Sequence, residues 1–248
     1  MRCALISDIH GNLPALEAVL ADIAARFFDA VYHLGDLVGY APWANEVVEL
    51  IASSGIAGVA GNYDSTVAAA YKHCGCRYED PLQEALSHRS YEWTLAHVTD
   101  ATRQRLAALP FRLDIRAGGG HQAGAQLILV HGTPVLNTVY WTEDRTDEFA
   151  SDMASRAGAR PGDVVAFGHT HLPWHRAAGG VHFVNTGSVG RPKDGDWRAG
   201  YASVTFGGGD VEVEFVRVAY DVERAAAAIE SSDLPDEFAQ FLRSGGRS

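Results

Sequence analysis

Five short apolar runs in the 248-residue sequence are each followed by side chains that can bind metal ions. The residues concerned, in chain order, are Asp8, His10, Asp36, Asn62, His131, His169 and His171. They offer carboxylate and amide oxygens and imidazole nitrogens but no thiolate. This set suits Mn²⁺, Fe or Zn²⁺ better than Ca²⁺ and is unlike a structural zinc site. Because six or seven ligands exceed the need of one tetrahedral ion, the sequence favours two ions that share a bridging carboxylate.

The spacing of these residues adds to the argument. Asp8 and His10 are two positions apart, as are His169 and His171, so in an extended chain each pair would point the same way. A glycine such as Gly168 stands beside most of the candidates and lets the backbone turn sharply and approach closely. Any one of these residues alone is more often a polar loop side chain that satisfies backbone groups. The seven together favour a metal site.

The apolar runs that precede these residues predict buried strands. Helical patterns separate the first three runs, and this β-α-β-α-β order predicts a mostly parallel sheet with right-handed crossovers. In open α/β sheets, ligands bind just beyond the carboxyl ends of the strands, so the candidate ligands would meet at one edge. The five predicted strands are 3–6, 30–34, 56–60, 127–130 and 164–167.

Further elements follow from capping residues and periodicity. Asn12 can cap a helix that carries Leu13 to Ile23, and Asn45 can cap a helix over 46–53. The Gly207–Asp210 turn predicts an antiparallel hairpin between the last two strands. The remaining predicted elements are helices over 81–96, 221–229 and 237–242 and strands over 181–184, 201–206 and 211–218.

The metal-binding blocks together resemble a known signature. Asp8-Ile9-His10, Gly35-Asp36, Gly61-Asn62, His131-Gly132 and Gly168-His169-Thr170-His171 resemble, in the same order, the five blocks of the calcineurin-like metallophosphoesterase superfamily. The stretch 185–192 resembles the closing motif of its small bacterial and archaeal phosphodiesterase branch. The resemblance implies a four-layer α/β/β/α sandwich, with two packed mixed sheets flanked by helices, in a single domain over residues 1–248.

The resemblance also implies roles for the site residues. The first metal would be held by Asp8, His10 and His171, the second by Asn62, His131 and His169, and both by Asp36. A hydroxide between the two metals would attack phosphorus in line with the leaving oxygen, with Asp36, Asn62 and His131 as catalytic candidates. We therefore expect a phosphodiesterase that acts on a small phosphorylated substrate with two divalent ions. Mn²⁺ is favoured, and Fe, Zn²⁺ or Ni²⁺ are compatible.

One residue departs from the pattern of many relatives. They carry a histidine after the metal-binding asparagine, whereas this chain has Tyr63. A tyrosine with a pKa of ~10 is a poor acid near neutral pH, so esters with good leaving groups are the better expectation. The small phosphodiesterase branch also commonly lacks this histidine. Asp64 is interpreted as a structural partner.

Three residues are candidate substrate contacts: Asn12, Tyr63 and Arg191. Asn12 is more readily interpreted as a helix cap, and Arg191 could equally be a surface turn residue. Residues 71–109, between the third and fourth blocks, are a candidate substrate-facing cap. Within this segment His73-Cys74-Gly75-Cys76 has one residue between its cysteines, which matches neither common zinc motifs nor thioredoxin-like motifs, so a plain loop is expected. The run 118–121 is interpreted as a turn.

Composition limits the partners and the compartment. The formal net charge of −11 argues against long nucleic acid as the main partner. An early Asp8 interrupts any signal peptide, no run approaches the ~20 apolar residues of a membrane span, and three cysteines make no disulfide framework. We expect a cytoplasmic protein without a membrane partner, and a homo-oligomer remains open. The alternatives are a phosphomonoesterase, including nucleotide and protein phosphatases, a nuclease, or a protein-interaction scaffold such as the retromer subunit of this fold.

Overall fold

Two five-stranded sheets organise the computed structural model, which describes residues 1–76, 80–117, 124–208 and 210–246. The strands are β1 (Arg2–Ile6), β2 (Ala30–His33), β3 (Ala57–Gly58), β4 (Leu113–Arg116), β5 (Gln126–Leu129), β6 (Val164–Phe167), β7 (Trp174–Ala178), β8 (Val181–Asn185), β9 (Ala199–Gly207) and β10 (Asp210–Val218). The helices are α1 (Leu13–Ala24), α2 (Ala44–Ser53), α3 (Asn62–Ala68), α4 (Pro81–His97), α5 (Asp100–Ala107), α6 (Asp147–Ala157), α7 (Val222–Glu230) and α8 (Glu237–Ser244).

Both sheets are mixed, with parallel strands at the positions that matter for the site. The first sheet has the order β10-β9-β1-β2-β3, in which β1, β2 and β3 are parallel and β9 runs antiparallel to β1. The second has the order β4-β5-β6-β8-β7, in which β5, β6 and β8 are parallel. The carboxyl ends of β1, β2 and β3 therefore lie at one edge of the first sheet, and those of β5 and β6 at one edge of the second.

Successive side chains of the apolar strands point alternately into two hydrophobic cores. Cys3 and Leu5 of β1 pack in a cluster with Leu127 and Leu129 of β5, so this cluster fills the space between the two sheets. The intervening residues of β1, such as Ile6, belong instead to a second cluster with helices α1, α2, α7 and α8. Successive side chains of a strand point to opposite faces, so a strand covered on both faces must be apolar throughout.

The second sheet is covered in the same way on its outer face. Ile128 and Val130 pack there with Trp141 and with Met153 of α6. The order of layers is thus helices, first sheet, second sheet, helix. The four-layer α/β/β/α sandwich expected from the sequence is confirmed.

One of the two predicted asparagine caps is correct. The side chain of Asn12 accepts a hydrogen bond from the backbone N–H of Ala15 and caps α1. The cap predicted at Asn45 is wrong, because α2 already begins at Ala44. Asn45 instead donates to the carbonyl of His97 and accepts from the backbone N–H of Thr99, so it ties α2 to the junction between α4 and α5.

Several strands and helices differ from the sequence prediction. The third strand is only Ala57–Gly58 rather than 56–60, and the strand Trp174–Ala178 and the helix Asp147–Ala157 were not predicted. The antiparallel pairing of the last two strands is confirmed, although Gly209 of its turn lies outside the described residues, as does the run 118–121. Among the described residues, no helix has the length and apolar character needed to cross a membrane.

Candidate metal centre

The loops that follow five strands bring the candidate ligands together at the carboxyl edges of both sheets. Two groups of three can each offer ligand atoms that all lie within 4.8 Å of one another. The first group, called cluster 1 below, is Asp8, His10 and His171; the second, called cluster 2, is Asp36, His131 and His169. All six side chains are buried. Asn62 joins cluster 2, since its Oδ1 lies 3.1 Å from Nε2 of His131.

Cluster 1 is built across the two sheets. Nε2 of His10 lies 3.2 Å from Nε2 of His171, and Oδ1 of Asp8 lies 3.3 Å from the latter. The other carboxylate oxygen of Asp8 accepts hydrogen bonds from the hydroxyl of Ser7 at 2.6 Å and from the backbone N–H of His169 at 3.0 Å. Oδ1 has no hydrogen-bond partner among the described residues. One oxygen of Asp8 is therefore used to hold the loops, and the other faces the two imidazoles.

Asp36 stands between the clusters. Its Oδ1 accepts a hydrogen bond from the backbone N–H of Tyr63 at 2.9 Å. Its Oδ2 lies 3.4 Å from Nε2 of His131 in cluster 2 and 3.7 Å from Nε2 of His10 in cluster 1. A single carboxylate oxygen thus faces imidazole nitrogens of both groups.

The imidazole tautomers leave lone pairs that face one another. Nδ1 of His10, His131 and His171 lies 3.0, 2.7 and 2.5 Å from the carbonyl oxygens of Val38, Leu34 and Arg191, respectively. A carbonyl only accepts, so each Nδ1 carries the proton, and in the neutral ring Nε2 then presents a lone pair. In cluster 1 two such lone pairs meet at 3.2 Å. This contact is repulsive unless a cation lies between the two rings, so the donor set of cluster 1 fits a metal ion. In cluster 2, Nε2 of His131 lies beside the amide oxygen of Asn62, and the two atoms would offer a second ion one nitrogen and one oxygen ligand.

Burial lowers the pKa values of the imidazoles, and the nearby carboxylates raise them. Burial lowers the pKa of His10 to about 3, although Asp36 acts to raise it. Burial also lowers the pKa of His169 to about 3 and holds that of His171 well below its usual value. These rings are neutral at pH 7, which is the state that binds metal. His131 differs: burial would lower its pKa, but the Asp36 carboxylate raises it to about 9.

The backbone at the candidate ligands is strained. Asp8, His10, Asp36, His169 and His171 all have positive φ, between +51° and +67°. Such conformations cost of order 1–3 kcal/mol each in a non-glycine residue and persist only where the surrounding structure enforces them. Hydrogen bonds between loops do so here: the N–H of Asp8 donates to the carbonyl of Gly35, and the N–H of His10 to that of Asp36.

This geometry corrects the extended-chain argument made from the spacing. The two pairs of ligands lie in tight turns rather than in extended segments, because each strand has ended before its ligands begin. Asp8 and His10 still enter the same cluster, whereas His169 and His171 enter different ones.

A cavity of about 570 Å³ opens onto both clusters. Tyr63 lines it, and its ring packs edge-on against His10 with the centroids 5.5 Å apart. Arg191 also lines it and is only 4% exposed, so it is not a surface turn residue. Asn12 is fully buried, and its amide donates to the carbonyl of Gly190 and to the hydroxyl of Tyr220. These contacts and the cap account for Asn12 without a substrate.

Sequence reasoning missed several cavity residues, among them Lys193 and Tyr140. Tyr140 packs on the ring of His169 with the centroids 4.4 Å apart. Neither residue belongs to a metal-binding block. Their closeness to the site depends on how the loops that carry them fold back. Lys193 stands two positions after Arg191, and this pair of cations was the signal available in the sequence.

Hydrogen bonds of Asp64 and of the candidate ligand Asn62 help to position the metal-binding side chains. Asp64 accepts from the backbone N–H groups of Leu37 and Gly61, so it joins two ligand loops as a structural partner. The amide nitrogen of Asn62 donates to the carbonyl of Cys74 and to Sγ of Cys76, both at 3.1 Å. These bonds turn Oδ1 of Asn62 toward His131, and they make the His73–Cys76 loop a support for the ligand.

Two mixed sheets packed face to face, with clusters of metal-binding side chains at the ends of their strands, define a metallophosphoesterase fold. The chain belongs to the calcineurin-like phosphoesterase superfamily, whose domain model matches residues 1–208. The five-block resemblance is thereby confirmed. Membership of this superfamily supports a hydrolase of phosphoric esters, and the two clusters suggest a site for two metal ions.

Three similar proteins illustrate the relationship. An uncharacterized protein of Methanocaldococcus jannaschii is 30% identical over 254 residues, which cover 96% of each chain. The crystal structure of a metallophosphoesterase from Sphaerobacter thermophilus has 29% sequence identity and a TM-score of 0.75, and the match covers 99% of this chain and 100% of that one. Phosphodiesterase YfcE of Escherichia coli K12 is 26% identical over 196 residues, which cover 79% of this chain and 83% of the relative.

Metal binding should stabilise the folded chain measurably. A ligand that binds only the folded state at about 100 times its Kd adds about 2.7 kcal/mol, which for a chain of this size raises Tm by about 5–10 °C. We expect Mn²⁺ to raise the Tm of metal-stripped protein by at least this amount. The increase should be larger at pH 8.5 than at pH 6.5, because protons compete for His131, whose pKa is about 9 without metal.

Differential scanning calorimetry with and without Mn²⁺ checks this result. His131→Gln should abolish most of the increase. His88→Gln, an exposed histidine on α4, should leave it unchanged. An equal increase in both variants would mean that the metal binds elsewhere.

Proposed function

We propose that the protein is a phosphodiesterase that uses two divalent metal ions and acts on a small-molecule substrate. The observation that carries the proposal is the position of Asp36, whose Oδ2 faces imidazoles of both clusters. A carboxylate so placed can bridge two ions. This arrangement supports a dinuclear centre over a single ion with excess ligands.

The proposed ligand roles follow the two clusters. Asp8, His10 and His171 would hold one ion, Asn62, His131 and His169 would hold the other, and Asp36 would contact both. Two bound ions would supply Lewis acidity at a phosphoryl oxygen and would lower the pKa of bound water. Mn²⁺ is the favoured metal because the ligands are oxygen and imidazole nitrogen, and Fe, Zn²⁺ or Ni²⁺ are compatible with the same set.

The protein's own groups hold this centre rigid and shape the choice of ester. Carbonyl acceptors fix the rings of His10, His131 and His171, and the N–H of Tyr63 fixes Asp36. The Tyr63 ring lines the cavity. It takes the place of the histidine that many relatives carry there and that could act as an acid. Its phenol is a weak acid at neutral pH, which favours substrates whose leaving group needs no proton.

Cavity size and relatives favour a small diester. The cavity volume of about 570 Å³ falls in the range of small-molecule sites. A cavity of this size is narrow for the substrate of a protein phosphatase. The 26% identical relative named phosphodiesterase YfcE supports a diester over a monoester. The scaffold alternative is less favoured, because all seven candidate ligands are present and buried.

The substrate-facing cap is proposed to be smaller than the segment 71–109. Asp80, Leu82, Gln83 and Ser87, at the start of α4, line the cavity together with Cys76. Other residues of the segment, including Leu86, Tyr91, Val98 and Leu106, belong to the core below the first sheet. Deleting the whole segment would therefore damage the core, and residues 77–79 lie outside the described part. Substitutions confined to the exposed start of α4 are the informative changes.

Hydrolysis of chromogenic esters tests the proposal. Metal-stripped protein should be inactive, and Mn²⁺ should restore hydrolysis of bis(4-nitrophenyl) phosphate. The kcat/KM for this diester should exceed that for 4-nitrophenyl phosphate at least about tenfold. A preference for the monoester would favour the phosphomonoesterase alternative. A chain that binds two ions but turns over neither ester would favour the scaffold.

A further inference from the structure

Two cationic side chains face the cavity without an anionic partner among the residues that the structure describes. Arg191 and Lys193 both line it, together with Asp36 and the imidazoles of the clusters. Among the described residues, no carboxylate lies within 4.0 Å of either cation, although the chain carries 31 acidic residues. Two acids close to them in sequence pair elsewhere: Asp194 with Arg217, and Asp196 with Arg198. Asp80 lines the same cavity but lies beyond 4.0 Å from both cations.

The guanidinium of Arg191 is held in place by aromatic rings. Its central carbon lies 4.1 Å from the ring centroid of Tyr40 and 4.0 Å from that of Phe241 on α8. The side chain is 4% exposed, and its Nε–H has no hydrogen-bond partner within the described ranges. A buried guanidinium with an unsatisfied donor is costly unless an anion completes its hydrogen bonding.

Lys193 lies in the same environment. Burial, and to a lesser extent the charge of Arg191, lower the pKa of its ammonium group to about 8. The two cations repel each other in the half-buried wall of the cavity. An anion bound between them would be attracted by both. The burial, the lack of a counter-ion within the described ranges and the shared cavity point to the same kind of ligand.

These cations lie outside the ligand layer of the metal clusters. Neither approaches the carboxylates of Asp8 or Asp36 to ion-pairing distance. The ring of Tyr40 contacts the ring of His10, with centroids 4.9 Å apart, and also contacts the guanidinium of Arg191. A group bound between Arg191 and Lys193 would thus sit beside the reacting phosphoryl group, against the wall that α8 contributes.

We propose that Arg191 and Lys193 form a subsite for a second anionic group of the substrate, a phosphate or carboxylate separate from the ester that is cleaved. This inference rests on the proposed function, because it specifies the substrate of the same cavity. The substrate class is then a phosphodiester with an additional negative charge on the part that is not the leaving group.

A matched pair of esters tests the subsite in the Mn²⁺-loaded protein. Butyl 4-nitrophenyl phosphate and 3-carboxypropyl 4-nitrophenyl phosphate share the leaving group and differ by one carboxylate. We expect kcat/KM to be at least about tenfold higher for the carboxylate ester, chiefly through KM, since a charge-assisted pair adds to binding. A ratio near one in the unsubstituted protein would overturn the proposal.

Variants assign the preference to the proposed residues. Lys193→Gln should bring the ratio of the two kcat/KM values close to one. Lys72→Gln makes the same charge change at an exposed position and should keep the ratio. Lys193 is substituted rather than Arg191, because the carbonyl of Arg191 accepts the Nδ1 proton of His171. If Lys193→Gln slowed both esters equally, the cations would serve the cleaved phosphate instead, and the second subsite would be refuted.

An equilibrium measurement separates this inference from the proposed function. If neither ester is turned over, the proposed function fails, and the subsite is tested by calorimetric titration of the loaded full chain with sulfate. Binding that Lys193→Gln weakens about tenfold and Lys72→Gln leaves unchanged would support the anion subsite by itself. Equal binding by all three proteins would overturn it.

Discussion

Asp36→Asn is expected to reduce metal-dependent ester hydrolysis by at least about 10³-fold, a loss of about 4 kcal/mol in transition-state stabilisation. The substitution keeps the shape and an oxygen that can accept the Tyr63 N–H, so the loop should remain in place. It removes the negative charge that faces both His10 and His131. A neutral amide cannot bridge two cations, so the expected loss is in metal occupancy and in turnover.

The measurement is kcat/KM across a Mn²⁺ titration, together with bound metal per chain by emission spectroscopy. Asp152→Asn is the matched control, because Asp152 is an exposed carboxylate on α6 that pairs with Arg156 away from the cavity. It should retain full activity. An Asp36→Asn protein with a tenth or more of the original activity at saturating Mn²⁺ would contradict the bridging role.

The buried strands could be predicted because burial on both faces leaves a clear pattern, whereas the four-layer arrangement of two sheets followed from the family resemblance. Cys3-Ala4-Leu5-Ile6 is apolar throughout, and the structure sends alternate residues to the inter-sheet core and to the helix side. The carboxyl ends of four of the five strands could be predicted to within one residue for the same reason, whereas the third strand ends at Gly58, two residues before its apolar run stops. The metal-binding residue types then follow at the predicted edge.

One helix and one strand that were not predicted have recognisable signals in the sequence. The helix Asp147–Ala157 has Thr146 as a side-chain cap, two acidic residues in its first turn and Gly158 as its stop. The strand Trp174–Ala178 forms a hairpin with the next strand across Gly179-Gly180, a common turn pair. Both could have been found by applying to residues 140–180 the capping and turn rules used elsewhere.

Other features depend on tertiary contacts that no local pattern reports. The left-handed backbone at His10 is imposed by a hydrogen bond to Asp36, which is distant in sequence. The assignment of His169 and His171 to different clusters depends on how the two sheets meet. Lys193 becomes a cavity residue only because the loop after the eighth strand folds back over the site.

Gly168→Ala is the second substitution with a large expected effect, and it acts through packing rather than charge. A Cβ at Gly168 would lie 2.1 Å from Oγ of Ser7 and 2.3 Å from Oδ2 of Asp8. Neither residue can move freely, because their hydroxyl–carboxylate bond and the N–H of His169 hold Asp8 in place. The backbone of Gly168 is also fixed, since its N–H donates to the carbonyl of His131.

We therefore expect Gly168→Ala to push Asp8 out of cluster 1. Overpacking of this kind costs about 1–3 kcal/mol, or about 2–12 °C in Tm, and the misplaced ligand should weaken Mn²⁺ binding at least about tenfold. Calorimetric unfolding and metal titration measure the two effects. Gly207→Ala is the matched control, because a Cβ there meets no atom within 4 Å, and it should leave both quantities unchanged. Tight Mn²⁺ binding by Gly168→Ala would show that the close approach of the two sheets at this glycine does not position Asp8, and that cluster 1 tolerates a displaced carboxylate.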